Sequence, residues 1–330
     1  MSKLLKGKQV FVDTTEFSDA HFNVRNPSFN EFRKLCEEGQ LAFLTTDITK
    51  REIKAGIKSV ADKARQRIAD AADAIHSLQE PEVPAMTTFV AKLEQGVFSD
   101  AWSKALDEFF EKCSAVTLPI PPTAIPPVLD RYFERRPPFG GKNKKSEFPD
   151  AFVLQALQAA IRPNGDCLYI ISNDADFEEA CKGHPKLIHL KSLSRLLNRV
   201  HEHDAAVKQV RKTIQENRKD IEAKLEGILK SLPPELRDAE GAVQLNSIRL
   251  DDIFDELIVS CDGETAAVDF VCNAEVEAVL EFASSQDLPE FRSVNREEVI
   301  NITLVFQYDP KNAKAFEVLE IWSPAALSFW

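Results

Sequence analysis

The 330-residue chain has no CxxC pair and no run approaching the roughly 18 apolar residues of a membrane span. It also has no apolar opening stretch like a secretory leader. An internal repeat and a low-complexity tract are absent as well. Six scattered cysteines (Cys36, Cys113, Cys167, Cys181, Cys261, Cys272) argue against a cysteine-based zinc site and for free thiols in a reducing cytoplasm. Positive charge is not in surplus: the net charge is −12, so bulk charge gives no argument for nucleic-acid binding. With 44% hydrophobic and 28% charged residues, the expectation is a globular, cytoplasmic, non-membrane protein of two domains.

The negative charge is unevenly placed. Residues 241–330 carry 17 Asp/Glu against 5 Lys/Arg, which accounts for the whole −12, and the first 240 residues balance at 36 of each sign. Within that neutral part, basic residues bunch between Arg131 and Lys145, six of them (Arg131, Arg135, Arg136, Lys142, Lys144, Lys145) against Glu134 alone.

Strand-like and helical segments alternate over the first 195 residues. "KQVFV" offers a short buried strand, Gln9 to Val12, ending at Asp13 in "DTTEF". "QLAFLTT" offers a second, followed by a helix from about Ile48 to Gln79 that Pro81 and Pro84 break, with further helix over 86–116. "LPIPPTAIPP" (118–127) reads as an extended connection whose prolines bar helix. A helix over 128–136 follows. "SEFPDAFVLQALQAAI" (146–161) has apolar residues at helical spacing, Phe152, Val153, Ala156, Leu157 and Ala160, with Asp150 in its first turn. A third strand runs Cys167 to Ser172, and a fourth lies in "KLIHLKSL". This alternation predicts an α/β fold, a parallel sheet covered on both faces, with ligands beyond the carboxyl ends of its strands.

From 192 to 231 the pattern predicts one or two long charged helices. Leu196, Val200, Val207, Val210, Ile214, Ile221, Leu225 and Ile228 give them an apolar stripe able to meet a neighbour or a second subunit. "PPELRD" (233–238) reads as a linker. The strand-like runs "ELIVSC", "AAVDFVC", "INITLVFQY" and "AFEVLEIWS" then predict a small β-rich, α+β C-terminal domain.

Carboxylates gather at the expected functional edge. Asp13 follows the first strand, and Asp174 with Asp176 follows the third. Glu52 lies six residues past Thr46, and Asp150 opens a helix that leads back into the third strand. Singly these are ordinary turn, cap or solvated residues. Together they repel one another unless a cation compensates them, and hard oxygen ligands suit Mg²⁺ or Mn²⁺. Such a cluster suits in-line attack of metal-activated water on a phosphodiester, with nearby basic residues holding the rest of the backbone.

The blocks "FVDTTEF", "REI", "RRPPFGGKNKKSEFPDAF" and "YIISNDADF", in this order, resemble the PIN-domain nuclease family, specifically a PIN-like subgroup with PPFG, then lysines, then FPDA. The resemblance covers residues 8–195, with 55–127 as a helical insertion. It implies a three-layer α/β/α domain with a central parallel sheet over 1–195; beyond it, the chain's own pattern predicts a helical linker over 196–235 and an acidic interaction domain over 236–330. The resemblance also implies a metal-dependent nuclease, an endoribonuclease by preference, with Asp13, Glu52, Asp150 and Asp174 as catalytic residues. Asp13, Asp150, Asp174 and Asp176 would hold Mg²⁺ or Mn²⁺, Ser172 and Asn173 would line the pocket, and Glu16 and Asp47 compete with Glu52 for its role. Arg135, Arg136, Lys142, Lys144 and Lys145 are candidate contacts to RNA phosphates.

Two other readings compete with this one. "DTT" after a strand also occurs in aspartyl-phosphate phosphatases, but those need an acid where Thr15 stands. The fold could instead be an inactive scaffold acting as a protein-interaction module. Partner expectations are RNA, a homodimer through the 196–231 helices or the C-terminal domain, and a regulatory protein. Family analogy adds the role of a regulated toxin or phage-defence effector. "HEH" (201–203) reads as a solvated helix face, because i and i+2 do not face each other. Trp322 and Trp330 read as core or interface residues.

Overall fold

A computed structural model describes residues 5–77, 97–139, 146–161, 165–202, 205–236, 241–282, 290–324 and 326–329. The expected break at Pro81 and Pro84, the lysines 142, 144 and 145, His203 and Trp330 lie outside these residues. Two compact units emerge: Lys6–Val24 with Phe32–Leu193, and Arg25–Glu31 with Ser194–Trp330.

The first unit is built on five parallel strands, β1 (Gln9–Val12), β2 (Ala42–Thr46), β3 (Val116–Leu118), β4 (Leu168–Ile171) and β5 (Leu187–Leu190). Their order is β3-β2-β1-β4-β5. The chain therefore builds outward from β1 on one side and then crosses to β4 on the other, which leaves a switch point at the carboxyl end of β1, the usual place for a ligand in such sheets. Successive β1 side chains point to opposite faces. Phe11 joins Leu44, Ile170 and the inner face of helix α6 (Phe148–Ala160; Val153, Leu154, Leu157) together with Phe177 of α7 (Ala175–Lys182). The other layer is aromatic: Phe17 of α1 (Thr14–Asp19) and Phe32 of α2 (Pro27–Glu37) meet Phe109 and Phe110 of α4 (Val97–Lys112) around Phe43. Helix α3 (Asp47–Ser77) follows β2 directly.

A close approach fixes the start of β1. A Cβ at Gly7 would sit 2.0 Å from the Cys167 carbonyl oxygen, a backbone atom with no room to yield. Gly7→Ala is expected to cost about 1–3 kcal/mol through overpacking, read as a shifted denaturation midpoint with an unchanged slope.

The proline-rich stretch corrects the sequence expectation. Pro122–Ala124 forms a short 3-10 helix, and α5 (Ile125–Glu134) begins inside the supposed extended connection. Its prolines fall in the first turn, where the missing N–H has no helical partner to lose and the fixed φ is already helical.

In the second unit the described residues of the 192–231 region form three helices, where the pattern predicted one or two: α8 (Leu193–His201), α9 (Ala205–Glu216) and α10 (Arg218–Ser231). Buried Asn217 marks one break, its side-chain amide donating to the carbonyls of Thr213 and Ala313 at 2.8 Å each. Four antiparallel strands follow, β7 (Gly241–Cys261), β8 (Thr265–Phe282), β9 (Glu290–Asp309) and β10 (Asn312–Trp322), in the order β10-β9-β8-β7. A two-stranded parallel sheet of three residue pairs joins β6 (Pro234–Leu236) to β11 (Leu327–Phe329). Asp262 and Gly263 turn the β7–β8 hairpin. The Asp262 carboxylate accepts from the Glu264 and Thr265 amides at 3.0 and 2.7 Å, and these bonds hold its pKa below the ordinary value. Val207, Val210, Ile214, Ile221 and Leu225 are buried against this sheet in one core. The apolar stripe thus packs within its own unit, so a homodimer through these helices would have to use other residues.

Candidate active site

Each acid reaches the carboxyl edge of the parallel sheet by a local necessity of the chain. Asp13 ends β1 and caps α1, its Oδ2 accepting from the Thr15 hydroxyl at 2.7 Å and the Thr15 amide at 3.4 Å. Asp174 follows β4 and caps α7, its Oδ1 accepting from the Asp176 amide at 2.7 Å. Asp150 stands in the first turn of α6 behind Pro149, and Glu52 in the second turn of α3.

Ser172 ties two of these acids together. Its hydroxyl, fully buried, donates to Asp13 Oδ2 at 2.9 Å and accepts from the Asp174 amide at 3.1 Å. Its carbonyl meets His189 Nε2 of β5 at 2.7 Å, and the Asn173 amide reaches the Thr15 hydroxyl at 3.3 Å. Ser172→Ala would strip a donor from a buried carboxylate and leave the Asp174 amide unpaired. A stability loss of about 1–3 kcal/mol is expected, checked by denaturant titration.

Electrostatics shows that the acids converge. Burial, and then the charges of Asp13, Glu52, Glu147 and Asp174, push Asp150 up to about 8. Burial also raises Glu52, with the Thr14 hydroxyl (3.1 Å) opposing and Asp13 adding to the rise. Asp176 is raised by burial, Asp174 and Glu147. The carboxylates act on one another without closing on a common centre: among the described residues no three Asp, Glu, His or Cys side chains form a ready coordination shell. The donor chemistry nonetheless fits a divalent cation, since every group is a hard oxygen and the charges that act most on Asp150 are all negative.

Neither Asp47 nor Glu16 is among the charges that act most on Asp150. Asp47 is exposed at the start of α3, and Glu16 Oε1 accepts the Leu193 amide at 3.0 Å. Arg135 and Arg136 are exposed at the end of α5, Arg136 in an ion pair with Glu134 at 2.6 Å. Sequence reasoning missed Glu147, Thr14, Thr15 and His189. The first was legible as an acid three residues before Asp150 on the same helix start; Thr14 and Thr15 stood in the quoted "DTT" block; His189 gave no local signal.

A family model described as "PIN domain" matches residues 10–177, half of the chain. The chain belongs to the PIN-domain family. No curated protein and no solved structure matches it in the same way. PIN domains are generally metal-dependent nucleases that act on nucleic acid. The match spans Asp13, Glu52, Asp150, Asp174 and Asp176, all of them within the PIN fold described above. No helix of the described residues is long and apolar enough to cross a membrane.

Proposed function

We propose that this PIN domain is a divalent-metal-dependent ribonuclease that hydrolyses phosphodiesters to 5′-phosphate and 3′-hydroxyl ends without a covalent intermediate. The observation that carries the reading is the convergence of Asp13, Glu52 and Asp174, from three other chain segments, on Asp150 and its neighbour Glu147. Asp13, Asp150 and Asp174 would hold Mg²⁺ or Mn²⁺, with Asp176 at the margin. Bound there, the cation supplies Lewis acidity and charge neutralisation for attack on phosphorus. Thr15 and Ser172 fix the Asp13 carboxylate, and Ser172 fixes the loop that presents Asp174. Glu52 orients the attacking water and takes its proton, a role that suits a carboxyl raised by burial. Arg135 and Arg136 hold flanking phosphates, and the same role is proposed for Lys142, Lys144 and Lys145.

The acidic unit from Ser194 onward is proposed as the interaction part of the molecule, suited by its charge to a basic regulatory protein. A regulated toxin or phage-defence effector fits this pairing of nuclease and regulatory unit. Expression under phage challenge tests it, and unchanged growth and survival would reject it.

The decisive assay incubates labelled RNA and DNA of one sequence with Mg²⁺, Mn²⁺ or EDTA. Metal-dependent RNA cleavage yielding 5′-phosphate ends is the expected result. Inert protein that also fails to bind Mn²⁺ by calorimetry would favour the scaffold reading instead.

A further inference from the structure

Helix α5 has two faces of opposite use. Val128 and Tyr132 turn inward and pack with Phe139, Phe148 and Ala151 at the start of α6, beside Asp150. The outward positions Ile125, Leu129 and Phe133, spaced four apart on one stripe, are 57%, 40% and 77% exposed. The helix ends at Arg135, in the left-handed conformation with its amide bonded to the Arg131 carbonyl. Arg136 follows it.

We propose that the outer face of α5 is a stacking track for the unpaired bases of a single-stranded nucleic acid, with Phe133 as the platform and Arg135 as the adjacent phosphate contact. This inference rests on the nuclease reading of the neighbouring acids. Charge decides the occupant. Arg136 is matched by Glu134, whereas no carboxylate of the described residues pairs with Arg135. Arg131 and Arg136 stand close enough that, after burial, the Arg136 charge depresses the Arg131 guanidinium, a repulsion that a polyanion relieves. An apolar ring flanked by guanidinium groups is the arrangement that takes a base on its face and the phosphate at its edge. Phe133 meets the inward-facing Tyr132 edge to face at 5.4 Å between centroids, and Tyr132 lies 5.1 Å from Phe148 at the start of the helix that carries Asp150. A single strand can lay an unpaired base on Phe133, while a duplex, whose bases are paired and stacked, cannot use the ring.

The test measures binding by the full chain in EDTA, which separates it from cleavage. The probe is a short single-stranded RNA carrying a fluorescent adenine analogue that is quenched on stacking, compared with its duplex and with a base-free strand. Phe133→Ala is expected to weaken single-strand binding about tenfold and to abolish the quench. Phe133→Tyr should keep both, and duplex binding should not respond. Arg135→Ala should lower the slope of log affinity on log salt by about one. Because Phe133 is exposed, its replacement removes only the edge contact with Tyr132, and circular dichroism checks the fold. Unchanged affinity in Phe133→Ala, or base-free strand binding as well as RNA, overturns the track. So does a self-association, seen by sedimentation, that Phe133→Ala abolishes while RNA binding stands, because the stripe then belongs to a second copy. Cleavage in Mn²⁺ with binding indifferent to Phe133 would reject the track and keep the nuclease; quenching without cleavage would do the reverse.

Discussion

Asp150→Asn is expected to reduce metal-dependent RNA cleavage at least about 10³-fold while leaving the protein folded. The substitution keeps the size and the hydrogen-bonding outline of the side chain and removes only its capacity to carry charge. Two roles for Asp150 predict different results. As a helix-dipole partner at the first turn of α6, it would contribute stability through its negative charge, so Asn would lower the melting temperature and leave turnover alone. Its surroundings favour the opposite outcome. A carboxyl pushed up to about 8 by burial and by four neighbouring acids is destabilised as an anion in the metal-free protein. Asn should therefore melt higher than wild type above pH 8 without metal, and should lose the stabilisation that Mn²⁺ gives to wild type. Loss of activity together with higher apo stability is a signature that a cap cannot produce. Activity within a few-fold of wild type would remove Asp150 from the catalytic group.

The parallel unit was largely legible because its strands are short, continuous and buried on both faces. Gln9–Val12 could be read to the residue, and β4 to within one. The helix start carrying Asp150 was legible from "FPDAF", since proline and an acid both belong in a first turn. Three things were not legible, each for a physical reason. The prolines of 118–127 were read as helix breakers, although they sit at positions where helix formation does not need their N–H. The four long strands of the second unit were seen only where apolar residues run on. In β8 and β9 the outward positions past residue 274 include Glu275 and Glu277 facing Glu297 and Asn295, so half of each strand looks polar. The break at Asn217 was hidden because its cause is tertiary, a bond to Ala313 nearly a hundred residues away. In the site, the acids declared themselves by position after strands. Ser172 was named as a pocket-lining residue, but its bond to Asp13 across 159 residues of chain had no local signal, and neither had the reach of His189 to Ser172 from the next strand.

Metal affinity should rise steeply with pH. A carboxyl whose folded pKa lies far above its ordinary value keeps its proton up to about pH 8, so a cation that needs the carboxylate must displace that proton. Between pH 6 and pH 8 the apparent Mn²⁺ affinity is expected to gain about tenfold per unit, roughly a hundredfold in all. The raised pKa values of Glu52 and Asp176 act in the same direction. Stability of the metal-free protein has the opposite dependence. The unfolded chain ionises Asp150 near its ordinary value while the folded chain does not, so the folded state holds the extra proton between about pH 4 and pH 8. The stability present at low pH is therefore lost as pH rises through that window. This trend concerns the contribution of Asp150 alone. Saturating Mn²⁺ should oppose the loss by replacing proton with cation. Calorimetry in buffers of different ionisation enthalpy measures the displaced proton directly. The expected value is close to one at pH 7 for wild type and near zero for Asp150→Asn, whose weaker binding should also be flat with pH. Affinity independent of pH from 6 to 8 in the wild type would mean that the cation does not meet Asp150, and the four acids would then have to be read as a structural cluster around a site elsewhere.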